Sequence, residues 1–396
     1  MKKGWTYKKL GEVARFSRGL TYSKHDEVDS SENVVLRSNN IDLLSGKLDF
    51  SEMKYLKSEF SIPDDKRLKK GSLFICMSNG SKSHLGKVAY IDKNYNYAFG
   101  GFMGQITPDD SINGRFLHYA LCSPMYKDYI KSLSSGANIN NLKYKDLELF
   151  EINIAPLSEQ KSIVERLDSA FAHIDELKTN AEKQLAEARA LFQKSLAKAM
   201  EPKEGWEEKK LKEITSSIGD GLHGTPKYSD EGKYYFVNGN NFEDGIIDIK
   251  ENTKRVDSDE YDKYKIHLDE TTVLLSINGT IGKTAFYNGE PIILGKSACY
   301  INVLPSLSKE YLRYFLLSDN FIEYAKHNSR QATIVNLGLK EIRTMPISFP
   351  PLSEQQRIVE RLDSISENVR KYEEIKQKII AECDALKQAL LRQVFE

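Results

Sequence analysis

The chain is poor in most of what betrays a function at first reading. It has no surplus charge: 57 Lys and Arg stand against 57 Asp and Glu, which argues against a protein that coats nucleic acid alone and without specificity. A duplex-binding protein is still allowed, with basic residues toward DNA and acidic ones on a partner surface. The four cysteines (Cys76, Cys122, Cys299, Cys383) are far apart and form no CxxC pair, so neither a disulfide frame nor a zinc knuckle is expected. They read as small buried hydrophobes in a reducing compartment. No apolar run is long enough to cross a bilayer, and nothing apolar follows Met1-Lys2-Lys3-Gly4-Trp5 to make a signal peptide. A cytoplasmic protein with no membrane partner is the expectation.

Catalytic and cofactor motifs are also missing. Asn278-Gly279-Thr280-Ile281-Gly282-Lys283-Thr284 ends like a phosphate-binding loop, but Ile277 stands where the first glycine is required. The related stretch Gly86-Lys87-Val88 lacks the metal-binding hydroxyl, so both read as turns that aim a lysine. The glycine pair in Phe99-Gly100-Gly101-Phe102 does not sit between a clear strand and helix. Phe349-Pro350-Pro351-Leu352 holds the only double proline and starts a helix instead of forming an amino-methyltransferase motif. The histidines are scattered without HExxH, and Pro63-Asp64-Asp65-Lys66 reads as a solvated turn more readily than as a nuclease motif. No chemistry, metal or cofactor is assigned to this chain.

What is present is a chain written twice. Pro156-Leu157-Ser158-Glu159-Gln160 recurs as Pro351-Leu352-Ser353-Glu354-Gln355, and Ile163-Val164-Glu165-Arg166-Leu167-Asp168-Ser169 recurs as Ile358-Val359-Glu360-Arg361-Leu362-Asp363-Ser364, both at an offset of 195. Without a gap the same offset pairs Ala186-Glu187 with Ala381-Glu382 and Ala190-Leu191 with Ala385-Leu386. Ahead of these blocks the match is looser. Gly4-Trp5 answers Gly205-Trp206, Leu36-Arg37-Ser38-Asn39-Asn40 answers Val237-Asn238-Gly239-Asn240-Asn241, and Asn141-Leu142 answers Asn336-Leu337. The organisation is a variable domain (1–155), a long helix (156–200), a second variable domain (201–350) and a second long helix (351–396).

Each matched block starts with a proline, a serine able to cap free N–H groups, and acidic and polar residues in the first turn. Apolar residues then recur in steps of three and four: Val164, Leu167, Phe171, Ile174, Leu177, Ala181, Leu185, Ala188 and Leu191 in the first block; Val359, Leu362, Ile365, Val369, Tyr372, Ile375, Ile379, Cys383, Leu386 and Leu390 in the second. That is one apolar stripe on each of two long helices, which pack most simply as an antiparallel coiled coil. The variable blocks are mixed. Val34-Val35-Leu36, Leu73–Cys76, Lys87–Ile91, Val273-Leu274-Leu275 and Pro291–Leu294 read as strands, and Phe116–Leu121 and Tyr311–Leu316 as helices. The fold class is α+β: two similar mixed domains and two long antiparallel helices, in a pseudo-two-fold internal repeat.

A duplicated mixed domain followed by a Pro-Leu-Ser-Glu-Gln helix resembles the specificity subunit of type I restriction-modification systems over essentially the whole chain, with the Gly-Trp openings and Ala389-Leu390-Leu391-Arg392-Gln393-Val394-Phe395 adding to the likeness. The resemblance implies that each variable domain is a target-recognition domain for one half of a bipartite site in double-stranded DNA. It implies that the helices set the spacing and dock two methyltransferase subunits, with motor-nuclease restriction subunits joining them. S-adenosylmethionine, ATP and magnesium would sit on those partners, and this chain would be non-catalytic. Two rivals stay open: a self-contained DNA modification enzyme, and a coiled-coil scaffold that binds protein.

DNA contacts are expected from polar loop residues of the variable domains. In the first copy these are Arg18, Arg37, Ser38, Asn39, Asn40, Asn79, Ser81, Lys82, His84 and Lys87; in the second, His223, Lys227, Asn238, Asn240, Asn241, Asn278, Thr280 and Lys283. Asn, Gly and Ser also cluster in turns for backbone reasons. Positions shared by both copies therefore lean structural, and residues that differ, such as the inserted Lys82-Ser83-His84, are better placed to read bases.

Overall fold

The computed structural model describes residues 4–43, 45–133, 141–329 and 335–396. The chain forms two compact units, one of residues 1–182 with 377–396 and one of residues 183–376. Each unit thus holds one variable domain and a stretch of both long helices.

In the first unit, the apolar run at 73–76 and the mixed segment 103–108 become the centre of a four-stranded antiparallel sheet. Its order is Ala14–Arg18, Met103–Pro108, Leu73–Cys76, Val88–Tyr90. A second sheet orders Glu27–Val28, Lys54–Leu56, Asn33–Leu36 and Ala98–Phe99, the last pair being parallel. Strand Thr6–Lys9 pairs with Glu151–Ile154 and ties the start of the domain to the residues just before the first long helix. Helices Gly114–Ala120 and Pro124–Leu133 cover the core, which is built around Phe116, Tyr126, Leu147 and Ile152.

The second unit repeats this frame. Its main sheet runs Thr215–Asp220, Ala298–Val303, Thr272–Ser276, Thr284–Phe286 in the same relative order. Tyr234–Val237 pairs in parallel with Ile292–Leu294, as Asn33–Leu36 does with Ala98–Phe99. Helices Lys309–Leu317 and Asp319–Asn328 occupy the places of the first pair. Even isolated bridges recur: Leu20 to Gly100 matches Leu222 to Gly295, and Ser78 to Asn141 matches Asn278 to Asn336. The strands and helices expected from the periodicity are all present.

The two blocks opened by Pro-Leu-Ser-Glu-Gln form helices Leu157–Ala199 and Leu352–Phe395, of 43 and 44 residues and so each roughly 65 Å long. Their ends belong to the domain cores: Ile163, Leu167, Leu391 and Phe395 lie in the first, and Leu196, Met200, Val359 and Leu362 in the second. Between those ends the helices pair antiparallel, with Asp175 meeting Lys387 and Lys178 meeting Asp384 in the first unit and Arg189 meeting Glu373 in the second.

Two expectations about the helices need correction. The expected cap, Ser158 or Ser353, lies inside the first turn; Pro156 and Pro351 hold the capping place, their carbonyls accepting from the N–H groups of Gln160 and Gln355. Of the expected seam residues, Leu177, Ile375 and Leu386 are 59%, 56% and 50% exposed. In the first unit Ala181 and Cys383 of the stripe are buried as expected, and the largely covered Lys178 and Lys387 take inner positions beside them. Apolar spacing misses such positions because long lysine stems cover apolar surface while their charged ends find a carboxylate.

Candidate DNA-reading surfaces

In each unit three loops converge on one tight turn. In the first, the turn is Gly100–Phe102. The N–H groups of Met77 and Ser78 both donate to the Phe102 carbonyl (3.0 and 3.1 Å), Gly100 N–H donates to Leu36, and Leu20 N–H donates to Phe99. The loops after Arg18, around Arg37–Asn40 and after Met77 therefore border one surface. Asn79 joins two of them by donating to Ser38 Oγ (2.8 Å). In the second unit the turn is Gly295–Ser297, reached by Leu222, Asn238 and Ile277 in the same way.

Several expected contact residues serve to build these loops. Asn40 is 1% exposed, and its amide donates to the carbonyls of Asp49 and Glu52 (2.8 and 2.7 Å) while accepting from Arg37 N–H. Asn241 repeats the device with Asp248 and Asn238. Both asparagines close a short 3₁₀ turn from within, the backbone role that shared Asn positions suggested. Asn238 accepts from Ser297 Oγ (3.0 Å), and Asn278 has its Oδ1 buried with no partner among the described residues.

Others lie outward. Arg18, Asn39, Ser81, Lys82, His223, Lys227, Asn240 and Thr280 are exposed, and Arg37 and Ser38 half-exposed. His223 pairs with Asp220 (2.7 Å), and Asn39 reaches the Glu52 carbonyl (3.3 Å). Ser81 and Ser83 share a hydrogen bond (2.8 Å) in the inserted loop. Lys87 donates to the Ile41 carbonyl (2.8 Å) and lies 2.9 Å from His84 Nδ1; burial first, and then the Lys87 charge, pulls the His84 pKa below its usual value. Burial likewise holds Lys87 below the ordinary lysine range. Lys283, its counterpart, is engaged by Glu243 (2.5 Å).

The Gly-Lys turns are not phosphate cradles. Gly86 and Gly282 have φ of +72° and +97°, a backbone region open to glycine, and their N–H groups are spent on Cys76 and Ser276. Each turn links two strands, whereas a phosphate loop must lead into a helix N-terminus.

Three groups of functional weight were not singled out from the sequence. Phe102 is 72% exposed at the centre of the first surface, where the second copy places Ser297. Gln160 and Gln355 are fully buried and bolt each domain to its helix. Gln160 Oε1 accepts from Asn113 N–H (2.7 Å), and its Nε2 donates to Ala155 and Ser111 carbonyls (2.8 and 3.3 Å). Gln355 does the same with Ser308, Pro350 and Ser306 (2.8, 2.8 and 3.0 Å). Two turns further on, Tyr119 and Tyr314 hydroxyls donate to Asp168 and Asp363. The offset of 195 relates both pairs, so the repeat itself was the signal.

Arg115, His118, Tyr119, Cys122 and Asp168 line a cleft of about 1120 Å³ in the first unit, together with Lys82 and Lys87. Burial, and then the Arg115 charge, pushes the His118 pKa down to about 4, while burial raises Cys122 to about 11. Both are neutral at pH 7, which gives no activated nucleophile. An unfolded His118 takes up its proton near pH 6.5, the folded one only near 4, so the unfolded state gains protons first as pH falls. Stability of the first unit should drop by about 1.5 kcal/mol between pH 6.5 and 5. Denaturant titrations across that range should show the slope in the wild type and lose it in His118→Gln; a slope unchanged by the substitution would assign it elsewhere.

The family described as type I restriction modification DNA specificity domain matches residues 2–187 and again 203–381. The chain belongs to that family. As a member it has a DNA-specificity role, carried by two copies of the domain. It is 26% identical to the type I restriction enzyme StySPI specificity subunit of Salmonella potsdam over 99% of this chain and 88% of that protein. The EcoKI specificity subunit of Escherichia coli K12 is equally similar, at 26% with the same coverage. A solved chain from work on assembly and conformational transition of the type I R-M system superposes with a TM-score of 0.75 at 20% identity, covering 99% of this chain and 98% of its own. The HsdS subunit of Thermoanaerobacter tengcongensis gives 0.54 at 19%, covering 100% and 97%. Among the described residues no helix is long and apolar enough to cross a membrane.

Proposed function

We propose that the chain is the non-catalytic recognition subunit of a type I restriction-modification complex, reading a bipartite DNA site with one domain per half. The paired helices set the spacing and dock two methyltransferase subunits; motor-nuclease restriction subunits join that assembly, and S-adenosylmethionine, ATP and magnesium belong to those partners. The observation that supports this is one loop frame used twice with different tips: Phe102 against Ser297, and an inserted Lys82-Ser83-His84 with no counterpart. A common frame gives a common approach to the major groove, and different tips give different half-sites. In the first domain we assign contacts to Arg18, Arg37, Ser38, Asn39, Asn79, Ser81, Lys82 and Phe102, with His84 and Lys87 behind them. In the second we assign His223, Lys227, Asn240 and Thr280, with Asn238, Asn278 and Lys283 behind. Asn40 and Asn241 shape the turns.

Exchanging residues 1–155 for another first domain should change one half of the methylated sequence and leave the other half and the spacer unaltered. Single-molecule methylation mapping of DNA from cells carrying the exchanged chain with its partner subunits reads this directly. Change in both halves would refute one domain per half. Methyl transfer by the purified chain alone would refute the non-catalytic role.

A further inference from the structure

The helix pairing carries charges whose signs invert between the two units. Lys178 Nζ lies 2.8 Å from both carboxylate oxygens of Asp384 in the first unit, and Arg189 Nε lies 2.6 Å from Glu373 Oε1 in the second. These are the same contact. Adding the 195-residue offset to Lys178 gives Glu373, and subtracting it from Asp384 gives Arg189. The first helix is basic at both positions, the second acidic at both.

This arrangement has a consequence for the two helices, which share their opening residues 157–160 and 163–169 with 352–355 and 358–364 but differ at most positions beyond. If the first helix paired in this register with the first helix of another copy, Lys178 would face Arg189 twice. If the second paired with the second, Glu373 would face Asp384 twice. A third contact leans the same way. Asp175 and Lys387 bind in the first unit, and their offset counterparts are Arg370 and Phe192. Like-with-like pairing would set Asp175 against Phe192 and Arg370 against Lys387. Every substitution of one helix for the other turns an attraction into a repulsion or a loss.

We propose that Lys178, Arg189, Glu373 and Asp384 form a pairing code that admits the first helix only to the second and keeps two copies of the chain from exchanging helices of the same kind. The code is separate from DNA recognition: it governs which helices meet, and would hold whichever sequence the domains read.

The test separates exclusion from stability by using the full chain. Lys178→Glu with Asp384→Lys keeps both native contacts oppositely charged, but makes both like-with-like contacts attractive as well. After refolding from urea and sedimentation equilibrium at low salt, its dimerisation constant should exceed that of the wild type by roughly tenfold or more, while the new like charges beside Asp175, Glu182 and Lys387 lower the thermal midpoint by no more than a few degrees. Adding Arg189→Asp and Glu373→Lys restores repulsion between like helices with all signs mirrored, and should return the wild-type constant. High salt should narrow the difference. Equal dimerisation of the wild type and the two-residue variant at low salt would overturn the proposal, as would a four-residue variant that dimerises like the two-residue one.

Discussion

Gln160→Leu is expected to lower the thermal transition of the first unit by roughly 6–12 °C, and Gln355→Leu that of the second by as much. Each amide meets three backbone groups in a dry setting: Asn113 N–H, Ala155 and Ser111 carbonyls for Gln160, and Ser308, Pro350 and Ser306 for Gln355. An apolar side chain of similar size keeps the packing but strands all three, at about 1 kcal/mol or more for each. A total near 3 kcal/mol corresponds to roughly 2–4 °C per kcal/mol for a unit of this size. Ser158→Ala is the control, since that side chain is exposed and such changes stay within about 0.5 kcal/mol. Differential scanning calorimetry decides it. Comparable shifts for Gln160→Leu and Ser158→Ala would mean that the glutamine is not what joins domain and helix.

This reading changes what the Pro-Leu-Ser-Glu-Gln motif means. From sequence it signals the start of a helix, which it is; proline, serine and glutamate in a first turn say no more. Its last residue is the one that reaches into the domain, through Asn113 and Ser308, which lie 47 residues upstream in both copies. A glutamine in sequence is equally at home in water or in a buried triple contact, and only its neighbours in space tell which. The same ambiguity explains the asparagines. Asn40 and Asn241 looked like base readers because Asn suits adenine edges, yet the same two-sided amide suits a turn that needs closing from within. By contrast the strands, the helices and the duplication were legible because period and repetition do not depend on where a polar group points. The helix seam fell between these cases. Most of its apolar positions were readable, though Leu177, Ile375 and Leu386 turn outward, while Lys178 and Lys387 were not, since charge in a seam is visible only with its partner opposite.

Phe102→Ala should weaken binding of the assembled complex to its cognate duplex by roughly ten- to a hundredfold, with most of the loss in discrimination. An aromatic ring 72% exposed is unfavourably placed in water, and the Phe102 carbonyl accepts from Met77 and Ser78, which fixes the backbone of the turn that carries the ring. Around it stand the outward residues of three loops. A ring so placed can pack on a thymine methyl or wedge a base step, both apolar contacts that release no counterions. The slope of log affinity against log salt should therefore stay as in the wild type, while Lys82→Ala, which removes a cation, should shallow it by about one. Ser297 in the second copy predicts the asymmetry. Its hydroxyl is turned inward to Asn238 and accepts from Gly239 N–H, so Ser297→Ala should disturb the turn and cost discrimination only at the second half-site. Anisotropy titrations of cognate and random duplexes at several salt concentrations, with each half-site mutated in turn, resolve the two effects. If Phe102→Ala kept the cognate-to-random ratio, or lost affinity equally when the first half-site was already scrambled, the ring would have no part in reading it.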